Sequence, residues 1–229
     1  GVIHNMKILV TNPTSELSEN IVSSLDLTHE VKVSVGPFNE GVDTEALVSD
    51  VEAVIHTLPG TDDSLGESEC LDQAMRGTYN LISASVTQGV SKFIFIGSLD
   101  TMKQYDPDYI VTEKWRPVPH TEINTLCVHL AEFVCKEFAR ERLIDVICLR
   151  LGDIFWEGAI NSSTVLSGSD ALQSIEKALN VDIGLGTWTS ESSVANKWNV
   201  IHIQSKVTNS RFPTDKAESI LGYCPSEVK

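Results

Sequence analysis

Residues 6–20 read MKILVTNPTSELSEN. An apolar, β-branched run (KILVT, 7–11) leads through a short polar turn into SELSENIVSSL (15–25), where Leu17, Ile21 and Leu25 repeat at helical spacing. A buried strand feeding an amphipathic helix is the opening unit of a parallel α/β sheet. Where such a first turn holds a phosphate it is rich in glycine, because glycine lets backbone amides approach the anion. The turn from Asn12 to Ser18 contains no glycine.

The same unit recurs along the chain. VKVSV (31–35), AVIHT (53–57), KFIFIG (92–97), DVICLR (145–150) and NVIHI (199–203) read as strands, mostly apolar on both faces. Between them, Leu71, Ala74, Met75, Tyr79, Ile82 and Val86 form one helical stripe. Leu130, Phe133, Val134 and Phe138 form another in HLAEFVCKEFARE (129–141). Near the end, Thr214 suits an N-cap and Gly222 the residue after a helix. The alternation predicts a doubly wound parallel α/β sheet, Rossmann-like and three-layered (αβα), in a single domain over 1–229. Right-handed crossovers would line the carboxyl ends of the strands along one edge, where such folds bind ligands. Residues 155–198 turn rich in Ser, Thr and Gly and read as a shortened, irregular C-terminal cap, with one short helix (170–179) and no core of its own.

Bulk composition narrows the function. A 229-residue chain with 41% hydrophobic residues expects a packed core. A formal net charge of -15 argues against nucleic acid and acidic membrane surfaces, both of which need concentrated Lys and Arg. No apolar run reaches the roughly 18 residues of a membrane helix. The start lacks the pattern of a secretory signal, and Asn5 stands where a myristoylation site wants Ser or Thr. The expected location is cytoplasmic. Five cysteines, an odd count without a CxxC, fit buried free thiols better than a disulfide framework or a metal site. Asn161-Ser162-Ser163 matches a glycosylation triplet, which arises often by chance. Trp115, Trp156, Trp188 and Trp198 fall in irregular segments, as a small satellite core or a contact surface.

Several segments, in order, resemble the extended short-chain dehydrogenase/reductase family of NAD-dependent epimerases, dehydratases and sugar-acid dehydrogenases. DVEAVIHTLPG (50–60) looks like its third strand, and RGTYNLISASVTQGVSKFIFIGS (76–98) like its fourth helix and strand. HLAEFVCKEFARERLIDVICLRLGDIF (129–155) looks like its catalytic helix, fifth strand and following loop. RFPTDKAESILGYCPS (211–226) looks like its C-terminal helix. The resemblance implies a nicotinamide cofactor, NAD(P), and a dimer through the helices at 71–86 and 126–138.

The family's functional residues carry over poorly. Its TGxxGxxG turn falls on Thr11 to Ser18, with Asn12, Ser15 and Ser18 at the glycine positions. The cofactor-binding set implied is therefore Asn12, Ser15, Glu16, Leu17, His56 and Thr57, in degenerate form. Asn tolerates a left-handed backbone, and Ser15 suits an N-cap, competing for amides a phosphate would use. Glu16 and Glu19 sit in the first helical turns, where each would repel a diphosphate by about 3 kcal/mol per unit-charge pair at ~5 Å and an effective dielectric of ~20. Val35 and Gly36 stand where the family reads the adenosine ribose, with Asn39 or Glu40 as remote substitutes. The family's Tyr-x-x-x-Lys pair falls on Asn124 and Val128, neither able to transfer the proton. Ser98 and Thr101 follow the fourth strand as weak catalytic candidates, with a turn role as the competing reading. His129 is one residue, about 100°, from the Lys position.

Three readings follow. One is a non-catalytic or weakly ligand-binding member that keeps the scaffold and binds a protein or small ligand. Another is an NAD(P)-dependent oxidoreductase or epimerase acting on a sugar or sugar acid through an atypical site, with His56, His120 or His129 as acid or base. The third is a structural subunit of a larger assembly. The repeated departures at separate segments favour the first and disfavour NAD(P).

Overall fold

The structure, a computed structural model, describes residues 5–39, 43–60, 64–158, 161–182 and 197–227. The strands are β1 (Lys7–Thr11), β2 (Glu30–Ser34), β3 (Ala53–His56), β4 (Lys92–Ser98), β5 (Asp145–Leu151), β6 (Asp153–Phe155), β7 (Val165–Ser167) and β8 (Trp198–Ile203). The helices are α1 (Glu16–Leu25), α2 (Thr44–Val48), α3 (Glu67–Thr87), α4 (Ile123–Arg140), α5 (Gly168–Asn180) and α6 (Asp215–Leu221). Six strands form a parallel sheet in the order β2-β1-β3-β4-β5-β8, and β6 pairs with β7 as a separate ribbon.

Period-two alternation divides the core. Ile8, Val10, Ile55 and Ile94 face one side, where Ile21 of α1, Ile175 of α5 and Leu221 of α6 close over them. Leu9, Val54, Phe93 and Phe95 face the other, against Leu81 of α3 and Ala131 of α4. The doubly wound, three-layer α/β fold is thus a Rossmann-like fold with helices on both faces of the sheet.

Among the described residues the sheet ends at β2 on one side and continues to β8 on the other. The usual doubly wound order is 3-2-1-4-5-6. Among the described residues no strand lies outside β2, so Ala53–His56, read from sequence as the third strand, takes the fourth strand's place beside β1. Burial on both faces fails at β2 for the same reason: it is a margin, and Val33 within it and Val35 just after it are 49% and 61% exposed. Lys32 holds α2 near it, its Nζ donating to the carbonyls of Ala46 and Leu47. The opposite margin is treated differently. The outward carbonyl of Val200 in β8 accepts from Lys216 Nζ (2.7 Å), and the outward amide of His202 donates to Glu113 Oε1 (3.0 Å).

Other differences from the sequence reading are local. The 129–141 helix starts earlier, at Ile123, because its N-cap, Glu122, makes no side-chain cap bond and leaves no capping signal. The stretch read as an irregular cap contains β7, and its helix runs from Gly168 with Ala171, Ile175 and Leu179 in the main core. Trp156 of that stretch lies over Gly168, where an added Cβ would overlap the indole. Trp198 opens β8 rather than a loop, and Trp115 meets Tyr105 edge-on at 4.8 Å. Thr214 is the N-cap residue of α6, but its hydroxyl donates to Glu218 instead of accepting a backbone amide. Gly222 takes the left-handed conformation expected after a helix, φ 64°. All five cysteines are free; Cys224 is exposed and the other four are buried. Gly1, Glu40 and Trp188 lie outside the described residues. No helix among the described residues is long and apolar enough to cross a membrane, and none of their His, Cys, Asp and Glu groups is arranged to hold a metal ion.

Candidate functional site

The chain turns from β1 outward to β2 and then back across to β3, so the crevice between the carboxyl ends of β1 and β3 is the switch point of the sheet. Asn12 sits at its mouth, almost fully buried and left-handed at φ 49°. Its Nδ2 donates to the Thr57 carbonyl at 2.6 Å, and its Oδ1 accepts from the Gly36 amide at 2.7 Å. Its own amide donates to the Ser34 carbonyl at 2.7 Å. One side chain therefore ties the ends of β1, β2 and β3 together.

Below it runs a closed hydrogen-bond network. Thr57 Oγ1 donates to the Thr11 carbonyl at 2.5 Å, and the Thr57 amide donates to Thr11 Oγ1 at 3.1 Å. The Thr78 hydroxyl commits its proton to the Ala74 carbonyl (2.7 Å), so it accepts from His56 Nε2–H at 2.9 Å. His56 Nδ1 is then the acceptor for the Thr11 hydroxyl at 2.8 Å. Burial pushes the His56 pKa down to about 3, and the neutral ring is what this pattern requires. With both ring nitrogens occupied and Phe38, Phe93 and Phe95 around it, His56 is a buried structural group.

The segment after β2 closes the crevice from the side. Gly36-Pro37-Phe38 folds inward, Phe38 is 2% exposed, and Asn80 of α3 donates to its carbonyl at 2.7 Å. The space left between Asn12, Pro37, Phe38, His56 and Gln73 is about 10 Å³, at most room for one water. Val35, by contrast, points to solvent.

At the start of α1, Ser15 is the N-cap. Its Oγ accepts from the Ser18 amide at 3.2 Å and meets Ser18 Oγ at 2.7 Å. Glu16 and Glu19 are exposed on the first turn, and Leu17 packs on the core. The remaining candidates lie apart from this network. Ser98 Oγ accepts from the Asp100 amide and Thr101 donates to the Ser98 carbonyl, which together form the 3-10 turn after β4. Asn124 is exposed on α4, Val128 packs into the second core, and His120 accepts from the Glu122 amide through Nδ1. His129 is half-buried, with its pKa lowered by burial, and its buried Nδ1 has no hydrogen-bond partner. Beyond β4, Lys103 bridges Asp100 (2.5 Å) and Asp153 (3.0 Å), and Thr164 donates to Asp153. Burial opposes the charge on Lys103, but the two carboxylates outweigh it and raise its pKa.

The structure brings Asn12, His56 and Thr57 of the sequence-read set together and adds Thr11, Thr78 and Phe38, which the sequence reading did not name as site residues. The signal at 36–38 was the Gly36-Pro37 dipeptide soon after a strand, a turn sequence that redirects the chain. Replacing Asn12 tests its tie. Asn12→Ala leaves the Gly36 amide without its acceptor and replaces a residue that tolerates positive φ by one that tolerates it less, for an expected loss of about 2 kcal/mol. Asn12→Gly keeps the backbone relaxed and should lose about 1 kcal/mol. Urea unfolding monitored by circular dichroism separates the two.

Comparison with known proteins defines the class. Residues 10–192 match the model of the NAD dependent epimerase/dehydratase family, and the chain belongs to that family. A glucuronic acid dehydrogenase from Chromohalobacter salexigens superposes with a TM-score of 0.77 at 18% identity, over 98% of this chain and 85% of that one. A UDP-N-acetylglucosamine 4-epimerase from Bacillus cereus gives 0.73 at 18% identity, over 98% and 94%. A short-chain dehydrogenase/reductase superfamily protein from Agrobacterium tumefaciens, with bound NAD, gives 0.77 at 14% identity, over 97% and 93%. At these identities the likeness is one of fold. No curated protein matches the chain.

Proposed function

We propose that this chain is a member of the epimerase/dehydratase family that acts by binding, not by hydride transfer, and that its dinucleotide crevice is closed by its own side chains. The observation that carries this reading is the Asn12 carboxamide, which spans the switch-point mouth between the Gly36 amide and the Thr57 carbonyl. In a dinucleotide site that mouth is bare glycine backbone, open to the diphosphate. Here the Gly36 amide is already engaged by the Asn12 side chain, and the space behind it holds about 10 Å³. Ser15 takes one of the α1 amides, and Glu16 and Glu19 place negative charge at the helix end where a diphosphate would seek positive charge. The residues present do not fit a nicotinamide dinucleotide. Asn124 and Val128, at the places of the family's acid–base pair, supply no proton-transfer group.

The surface supports a partner instead. Met75 and Tyr79 on α3 and Phe133 on α4 are 44%, 54% and 54% exposed on adjoining helices of an otherwise strongly acidic chain. A second copy packed on this face, helix pair against helix pair, would cover them. Thermal unfolding with NAD, NADH, NADP and NADPH, each at millimolar concentration, tests the reading. A ligand at about 100 times its Kd adds about 2.7 kcal/mol and raises the midpoint visibly. No shift with any of the four is expected, and a clear shift with one of them overturns the proposal. Light scattering on the same samples reads the dimer.

A further inference from the structure

Two of the buried thiols lie on neighbouring helices beside the crevice. α3 and α4 both run antiparallel to the strands they connect, so they lie side by side and point the same way, with their first turns at the carboxyl edge of the sheet. Cys70 is in the first turns of α3 and Cys127 in those of α4. Together with Ala74 they form one small cluster, separate from both main cores, under Leu58, Leu65 and Ile123. Leu58 also lines the crevice, so this cluster adjoins it. The Tyr79–Phe138 ring contact at 5.4 Å, further along the same helices, shows the pair packed in register.

We infer that Cys70 and Cys127 are a redox-sensitive pair, which a peroxide joins into a disulfide that staples α3 to α4. The step balances as two thiols and one hydrogen peroxide giving one disulfide and two waters. The Cys70 sulfur attacks the peroxide oxygen, forming a sulfenic acid and releasing the first water. The Cys127 sulfur then attacks the Cys70 sulfur and releases the second. Cys70 takes the oxidant because Glu67, Ser68 and Glu69 just before it are exposed, so it lies one residue inside the rim. Burial and the neighbouring Cys70 both raise the pKa of the Cys127 thiol, and the second of these causes requires the two sulfurs to lie near each other.

The other cysteines serve as internal contrasts. Cys135 and Cys148 are fully buried, and Cys148 donates its S–H to Glu132 at 3.6 Å. Burial raises both thiols well above the ordinary value, so they stay reduced and inert. Cys224 is exposed and lies on the opposite side of the sheet, near Gln173 of α5. The pair stands independently of whether the crevice takes a nucleotide.

The test uses the full chain carrying Cys224→Ser, treated with hydrogen peroxide and digested without reduction. The expected result is loss of two of the four remaining thiols, with a peptide linking Cys70 to Cys127 and lighter by two hydrogens. The thermal midpoint of the oxidised protein should rise by about 5 °C, reversed by dithiothreitol. Adding Cys127→Ser should leave Cys70 as a sulfenic acid, trapped by dimedone, with no cross-link and no rise. Four intact thiols after treatment, or a link between Cys135 and Cys148 in its place, overturns the inference.

Discussion

Replacing Glu132 with glutamine is expected to destabilise the protein by about 3–5 kcal/mol, measured as a lowered urea midpoint at unchanged slope. Glu132 of α4 and Arg150 of β5 form an ion pair with side chains only 4% and 3% exposed. The geometry is bidentate: Arg150 Nη2 donates to Oε1 at 2.5 Å and Nε to Oε2 at 3.0 Å. The third branch, Nη1, rests on the Met102 sulfur at 3.2 Å, a weak acceptor that cannot replace a carboxylate. Removing the charge of Glu132 leaves a guanidinium that cannot deprotonate, buried and unpaired. The double variant Glu132→Leu/Arg150→Met should recover most of the loss, because a well-packed apolar pair is often as stable as a buried ionic one. A double variant as unstable as Glu132→Gln would mean that the loss comes from packing at α4 and not from the stranded charge.

The second large effect is acid sensitivity. Burial pushes His56 down to about 3, and burial together with the charges of Arg150 and Lys216 does the same to His202. An unfolded chain protonates histidine near 6.5. Between about pH 6.5 and pH 3 the unfolded state therefore binds protons that the folded state refuses, and stability falls as pH falls. Each ring should remove about 2 kcal/mol at pH 5, and the two together about 4 kcal/mol relative to pH 7. The carboxylate Asp153, held below its ordinary value despite burial by Ser162, Lys103 and Thr164, adds its loss only at lower pH. His202 offers a clean control, because neither of its ring nitrogens has a hydrogen-bond partner. His202→Leu should halve the loss between pH 7 and pH 5 without lowering stability at pH 7 by more than about 1 kcal/mol. A loss between pH 7 and pH 5 that is the same in the variant and in the unaltered protein would remove His202 from the account.

The fold was legible because both faces of the central strands are apolar: Ile8 and Val10 feed one core, Leu9 the other. That pattern is local and survives any tertiary context. The exposure of β2 was not legible, because VKVSV reads as a buried strand whether or not a neighbour exists to cover it. At the site, Asn12 and Ser15 were readable from single positions, one as a residue that tolerates positive φ and the other as a cap. Which atoms Asn12 would engage was not, since Gly36 and Thr57 lie 24 and 45 residues away. The Glu132–Arg150 pair escaped for a similar reason. It joins a helix to a strand, and nothing in the spacing of two charges within apolar runs says that both turn inward.

The two margins of the sheet carry a last consequence. At β8 the outward carbonyl of Val200 and the outward amide of His202 are already taken by Lys216 and Glu113, whereas β2, among the described residues, pairs only with β1. Backbone-to-backbone accretion of further molecules is therefore opposed at these two groups of one flank and favoured at the other. Where two β2 flanks meet, each covers the other, and that contact closes on itself as a pair.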